Sequence, residues 1–255
     1  MAGVVDEALA RAVAIPSSTI HAHVEKVRSR NPEASPAQII RLLEKEYLMV
    51  VAGAGGAVGA AAAAPAVGTG VALALTASDV ATFFGASAAY VLAVASVHGI
   101  DVEDSERRTA LLLTSLLGES GAKAVTDMTG QGAAGVARVM LTRMPIATVK
   151  KVNNTLTRRM VRKQVARQGG LFFGRLIPYG VGMVIGVAGA RALGRTVIEG
   201  ARAAFGNAPA TFGHVIEVEP AAAKQLGEGG RPQLDAPEGR INVQAKEKKK
   251  WGSRR

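Results

Sequence analysis

Hydrophobic and polar positions repeat with helical spacing along most of the chain. In "SPAQIIRLLEKEYLMVV", which begins at Ser35, the apolar side chains of Ile39, Leu43 and Tyr47 recur every four residues, with charged side chains between them. Ser35 is a favourable N-cap residue and Pro36 suits the first helical turn. The pattern therefore predicts an amphipathic helix that begins at this point.

Two long uncharged segments follow. No charged side chain occurs between Tyr47 and Ser78, and after Asp79 the segment Val80–Ile100 has none apart from His98. The polar residues Thr76–Asp79 are predicted to form the turn of an apolar helical hairpin. Its second arm has 21 residues, enough to cross a hydrocarbon layer of about 30 Å. The hairpin either enters a membrane or forms the buried centre of a soluble bundle, and Asp79 is either a hairpin-turn residue or an intramembrane acid.

The glycines of the first arm allow two interpretations. Their spacing favours close approach of a second helix, with these as packing residues: Gly53, Gly55, Gly56 and Gly59. The alternative is a nucleotide-dependent enzyme in which "LMVVAGAGG" is a strand that ends in a phosphate-binding loop, Gly53–Gly59. Val58 stands where the dinucleotide fingerprint requires Gly or Ala, and the segment after it lacks a polar face. The helical interpretation is therefore favoured.

The remaining pattern completes an all-α organisation. A helix with the apolar run Leu111–Leu117 is predicted to be capped by Asp101 or Ser105. A third apolar segment, 171–194, contains Pro178 and is expected to dip into the bilayer or pack against the hairpin without crossing. We predict a helical bundle around the Gly/Ala-rich apolar hairpin. Its parts are an N-terminal helical segment (1–34), a helical domain (35–205), and a mostly disordered, basic-ended tail (206–255) with a short strand within "TFGHVIEVEP".

Positive charge is concentrated in one block and in the tail. The net charge is +11, and twelve Lys or Arg but no acid lie between Met128 and Ile198. There an apolar stripe opposes a basic face, a pattern typical of a helix that lies on anionic lipid headgroups. The stripe is Ile146, Val149, Val152, Leu156 and Met160, and the predicted lipid contacts are Lys150, Lys151, Arg158, Arg159, Arg162 and Lys163. Binding of nucleic acid by the block 138–167 and the tail is a weaker alternative, since no aromatic residue lies between Arg138 and Gly170.

The sequence offers no recognisable catalytic constellation. The chain has no cysteine, which excludes disulfides and thiolate chemistry. His21 and His23 are two residues apart and do not share a helix face, so they do not predict a metal site. Ser120 in "GESG" lacks the glycine spacing of a nucleophile elbow and is expected to cap the next helix instead. No catalytic, cofactor-binding or metal-binding residue is predicted.

Two segments resemble a known family. One is "HGIDVEDSERRTALLLTSLLGESGAKAV", in which an acidic stretch and an Arg precede a leucine-rich helix that ends in Leu116–Ser120. The other is "KVNNTLTRRMVRKQVARQGGLFFGRLIPYGVGMVIG", a basic helix that runs into the glycine-rich segment Gly174–Gly186. In order and spacing these resemble the EcsC family over roughly Ala37–Phe205. The resemblance implies a bacterial protein linked with an ABC transporter, and it implies no catalytic residues.

These patterns lead to a functional expectation. Asp6 and Glu7 stand where a signal peptide needs positive charge, so both termini are expected in the cytoplasm. We expect a non-enzymatic, membrane-associated accessory or structural protein at the cytoplasmic leaflet. Its expected partners are anionic lipid headgroups and a membrane protein such as an ABC transporter, with no cofactor.

Overall fold

The protein folds as a helical bundle. The computed structural model describes residues 2–62, 69–130, 135–171, 181–212 and 216–218. Met1–Ala221 form one compact unit. The predicted all-α class is confirmed, because the described ranges contain nine helices and only two three-residue strands. In chain order the elements are α1 (Ala2–Val13), α2 (Ser17–Ser29), α3 (Pro36–Ala62), α4 (Thr69–Val97), β1 (Ile100–Val102), α5 (Ser105–Leu116), α6 (Glu119–Thr129), α7 (Val136–Thr142), α8 (Ile146–Leu171), α9 (Val181–Phe205) and β2 (Ile216–Val218).

The start of α3 follows from local sequence. The Gln38 side chain accepts a hydrogen bond from the Ser35 backbone N–H at 2.7 Å, and the Ser35 hydroxyl lies 3.4 Å from the Gln38 backbone nitrogen. This reciprocal arrangement satisfies N–H groups that the first helical turn leaves free. Pro36 occupies the first helical position. The predicted helix start is confirmed.

The polar turn predicted from sequence is wrong, and the disfavoured alternative of a glycine loop does not form. Gly53–Gly59 lie within α3, so they form no phosphate-binding loop. Thr76–Asp79 lie within α4, so Asp79 is not a hairpin-turn residue. The strongly helix-forming residues that flank this short polar stretch favour a continuous helix over a turn. The chain passes from α3 to α4 through residues 63–68, which lie outside the described residues.

The start of α5 differs from the predicted caps. Neither Asp101 nor Ser105 caps this helix, because Asp101 belongs to β1 and Ser105 is already the first helical residue. Asp104 has extended backbone geometry, and its carboxylate accepts a hydrogen bond from the Arg107 backbone N–H at 2.9 Å. The cap is therefore the acid directly before the helix.

Two buried arginines tie α5 to the surrounding elements. Arg107 donates to the carbonyl oxygens of Met140 at 2.6 Å and Met144 at 2.9 Å. Arg108, which is 5% exposed, donates to backbone carbonyls and to one hydroxyl. Its acceptors are the carbonyl oxygens of Val102, Val13 and Ile15 and the Ser17 hydroxyl. Arg108 therefore holds the α1–α2 connection against β1 and α5.

Helix α9 also packs closely against the α5–α6 junction. A Cβ atom on Gly200 would lie 2.3 Å from the carbonyl oxygen of Ser115. Gly118 has a φ of +66°, which favours glycine, and a Cβ there would lie 2.9 Å from the Thr196 side chain. Ser120 does not cap α6, since Gly118 holds that position and the Ser120 hydroxyl donates to the Leu117 carbonyl oxygen at 2.7 Å. Two close approaches therefore position α9 on α5 and α6.

Part of the predicted tail is ordered into a strand. The strand expected within "TFGHVIEVEP" is confirmed as β2, which pairs in parallel with β1 and places Ile216 opposite Ile100. Residues 219–255 and the segment 172–180, with Pro178, lie outside the described residues. The third apolar segment contributes the first part of α9. This helix packs against α3, which agrees with the expectation that the segment packs against the hairpin.

Candidate functional site

Helices α3 and α9 approach each other through small residues. A Cβ atom on Gly55 would lie 2.6 Å from the Ala190 Cβ and 2.8 Å from the carbonyl oxygen of Gly186. A Cβ atom on Gly56 would lie 2.9 Å from the Val187 side chain. At Gly55 there is no room for a side chain while the two helices keep this separation, and at Gly56 the Val187 side chain would have to shift.

The other predicted packing glycines behave differently. Gly53 is exposed, and a Cβ atom there would meet nothing within 4 Å. Gly59 lies in α3, but its surroundings are outside the described residues. On α9, a Cβ at Gly194 would lie 2.9 Å from Leu48 and 3.1 Å from Val51. The helix that approaches α3 closely is thus α9. Of the four predicted packing glycines, Gly55 and Gly56 lie in this contact, which we call the α3–α9 seam.

A half-buried ion pair marks the other end of the α3–α9 contact. Arg202 donates to the two carboxylate oxygens of Glu44 at 2.8 and 2.6 Å. The Glu44 side chain is 10% exposed and that of Arg202 is 60% exposed. The hydrogen bond to Glu44 raises the pKa of Arg202. Since Glu44 meets Arg202 and Gly55 meets Gly186, α3 and α9 run antiparallel.

Two tyrosines join α3 to α4. The Tyr47 and Tyr90 rings stack with their centroids 4.9 Å apart, and the Tyr47 hydroxyl lies 2.9 Å from the Ser87 hydroxyl oxygen. Burial raises the pKa of Tyr47 to about 12, and it raises the pKa of Tyr90 further. The contacts also place the second half of α4 beside the first half of α3, so these consecutive helices are antiparallel.

These registers bring three uncharged helix ends together. The C-terminal part of α3 and the N-terminal parts of α4 and α9 lie at one end of the bundle. The sequence carries no charge in residues 47–62, 69–78 or 181–190, which we call the apolar end. Large apolar side chains are exposed on or next to it: Met49 at 72%, Val50 at 52% and Leu193 at 44%. Exposed apolar area of this kind is typical of an interaction surface.

Helix α8 presents the predicted basic face to solvent. Val149, Val152 and Leu156 are buried, while Ile146 and Met160 are partly buried against the core. On the outer face Lys150, Lys151, Arg158, Arg159 and Arg162 are exposed. Among the described residues none of these five takes part in a salt bridge. Lys163 continues the helix, and its side chain is outside the described residues.

The basic helix points towards the apolar end. Asn153 donates to the carboxylate of Glu106, in the first turn of α5, at 2.8 Å. Seven residues later, Met160 packs against a cluster that contains Phe84, Ala88 and Leu112. Helix α8 therefore runs alongside α5 in the same direction. Helix α5 runs in the direction of the N-terminal half of α4. Its Arg108 lies beside Val102, which follows the C-terminus of α4, and one turn later Leu112 packs with Phe84 in the middle of α4. The C-terminal half of α8 thus lies nearest the uncharged helix ends.

A serine, a histidine and an aspartate meet away from this end. The Ser96 hydroxyl lies 2.9 Å from His21 Nδ1, and Asp101 Oδ2 lies 3.1 Å from His21 Nε2. The adjoining cavity has a volume of about 10 Å³, room for one water molecule at most. A nucleophilic serine needs space for a substrate carbonyl, so the trio bridges α2, α4 and β1 without forming a substrate site. Sequence analysis missed it, because only the fold brings these positions together.

The other histidines have separate environments. His23 lies 3.0 Å from the Glu46 carboxylate. His98 stacks on Phe205, and burial, aided by the charge of Arg138, lowers its pKa. Within the described ranges no group of three or more His, Cys, Asp or Glu side chains is placed to hold a metal ion.

Comparison with known proteins does not assign the chain to a family. No family model, no curated protein and no solved structure matches the chain. The resemblance to the EcsC family rests on the two sequence segments alone and stays a prediction.

Proposed function

We propose that the protein docks at the surface of an anionic membrane as a non-enzymatic accessory or structural component. In this arrangement the basic face of α8 contacts lipid headgroups, and the apolar end faces the hydrocarbon. The observation that carries the proposal is the position of an exposed basic helix that runs towards three converging uncharged helix ends.

Charge and apolar area support different parts of the interaction. Each Lys or Arg near an anionic leaflet contributes on the order of 1 kcal/mol of attraction. The exposed side chains of Met49, Val50 and Leu193 supply apolar area that leaves water on insertion. Electrostatic attraction then brings the protein to the surface, and apolar contact retains it after salt has screened the charges.

One helix in the described part of the chain is long and apolar enough to cross a membrane. The segment Val80–Val97 of α4 has a mean hydropathy of 1.8, and 56% of it is buried inside the protein. Its composition is compatible with membrane association. The cytoplasmic leaflet and a nearby transporter belong to the proposal only through the family resemblance and the expected topology.

Removal of charge from α8 tests the proposal. We expect the K150Q/K151Q/R158Q/R159Q variant to bind vesicles that contain phosphatidylglycerol at least about tenfold more weakly than the parent, because four near-surface charges are lost. Flotation or sedimentation with vesicles measures the affinity. Vesicles of phosphatidylcholine alone should bind the parent and the variant equally, and added salt should reduce the difference between them.

A matched control separates location from net charge. The K26Q/R30Q/R41Q/R143Q variant loses the same number of exposed charges, none of them from α8. It should retain parental binding to vesicles with phosphatidylglycerol. Equal binding by the parent and the α8 variant would contradict the proposal.

A further inference from the structure

We infer that the apolar end inserts into a single leaflet and that the chain does not cross the bilayer. This inference rests on the proposed membrane docking and specifies its mode. The occupant of the exposed apolar surface is the hydrocarbon of the leaflet that α8 contacts.

Within the described ranges, the uncharged parts of α4 and α9 have about the length of one leaflet. Thr69–Ser78 of α4 and Val181–Ala190 of α9 each have ten residues. At about 1.5 Å per residue each is roughly 15 Å long. Half of a hydrocarbon layer of about 30 Å is also roughly 15 Å. The apolar part of α3, from Met49 to Ala62, extends about 20 Å and so includes the interfacial region.

A border of charged residues limits how deeply the apolar end enters the leaflet. The first charges beyond the uncharged ends are Asp79 on α4 and Arg191 on α9. Arg191 and Arg195 are exposed, and within the described part of the chain neither takes part in a salt bridge. Gly194 lies against Leu48 and Val51, and Ala190 lies against Gly55, so the two arginines lie level with the part of α3 between Leu48 and Gly55. Arginines at this height reach headgroup phosphates while their aliphatic stems stay in the apolar layer.

Lys45 extends this border to α3. It is exposed and lies one helical turn before Met49 on the same face. Together with Arg158, Arg159 and Arg162 of α8, the cations of α3 and α9 lie next to the apolar end rather than within it.

The packing of α4 explains why this helix does not cross. Phe84 and Ala88 are buried with Ala8 and Ala12 of α1 and with Leu112 of α5. Exposure of the segment Val80–Val97 to lipid on all sides would require these helices to separate. Such a separation gives up their packing, while lipid supplies no more than equivalent apolar contact. Insertion of the apolar end alone keeps the bundle intact.

Site-directed labels in this cysteine-free chain test the depth. Single cysteines at Ala57, Ala61 and Ala188 carry a spin label, with Ser105 and Asn207 as exposed control positions. Full-length variants are bound to vesicles of phosphatidylcholine and phosphatidylglycerol. We expect the three labels at the apolar end to gain access to oxygen and lose access to a water-soluble nickel chelate. Ala61 should lie about 6 Å deeper than Ala57, above the bilayer midplane.

The outcomes separate the inference from the proposed function. If the protein binds vesicles but all three labels remain as accessible to water as the label at Ser105, insertion is overturned and surface docking is retained. For crossing, an impermeant thiol reagent sealed inside the vesicles is applied to unlabelled cysteine variants at Ala61, Ser78 and Ser105. Reaction from inside overturns the one-leaflet arrangement and retains membrane association. Absence of vesicle binding overturns both proposals.

Discussion

Replacement of Arg108 by methionine is expected to lower the free energy of unfolding by about 3–5 kcal/mol. The guanidinium is buried and donates to three backbone carbonyls and the Ser17 hydroxyl. Methionine has a similar length but no donor, so these acceptors would be left without their partner inside the protein. Each unsatisfied buried acceptor costs about 1–3 kcal/mol. Urea denaturation followed by circular dichroism measures the loss.

Arg143 supplies the control for this substitution. Its side chain is exposed, so R143M should change stability by no more than about 0.5 kcal/mol. If R108M and R143M unfolded at the same urea concentration, the hydrogen bonds of Arg108 would contribute nothing measurable. A further R108K variant keeps the charge and fewer donors, and we expect it to lie between the parent and R108M.

Replacement of Gly55 by alanine is expected to cost about 1–3 kcal/mol of stability. The added methyl group would lie 2.6 Å from the Ala190 Cβ and 2.8 Å from the Gly186 carbonyl oxygen, and neither atom belongs to a flexible side chain. Helix α9 would have to move away from α3, which weakens the contacts around it. Thermal or urea unfolding of the purified variant measures the effect.

Gly53 provides a matched substitution two residues away. Its position on α3 is exposed and open, so G53A should stabilise the protein by about 0.5–1 kcal/mol through improved helix propensity. The opposite signs expected for G53A and G55A separate helix propensity from interhelical contact. A stabilising G55A would show that the α3–α9 seam has room for a side chain, contrary to the close approach described above.

Local order was predictable where neighbouring residues decide it. The start of α3 depends on Ser35, Pro36 and Gln38, which lie within one turn. The inward stripe and outward charges of α8 also follow from helical spacing, as the buried Leu156 and exposed Arg158 illustrate. The turn predicted at Thr76–Asp79 is wrong, because a short polar stretch within a helix-forming segment does not by itself end the helix.

Distant partners were not predictable. Arg107 and Arg108 are part of a charged stretch that is typical of a solvated helix start, yet both are buried. Their acceptors lie far away in the chain, on Met140 and on Val13. The Ser96–His21–Asp101 trio has no spacing signature for the same reason. Such contacts depend on which helices the fold places side by side.

The sequence by itself determined the helical class and the separation of uncharged from basic segments, because both follow from residue periodicity and composition. It also indicated that the glycines of α3 permit a close helix contact. Only the tertiary structure decided that α9 makes this contact, that α4 continues through Asp79, and that three uncharged helix ends lie at one end of the bundle. The physical reason is that small-residue packing and buried hydrogen bonds select partners by geometry over long sequence separations, whereas propensity and patterning act within a few turns.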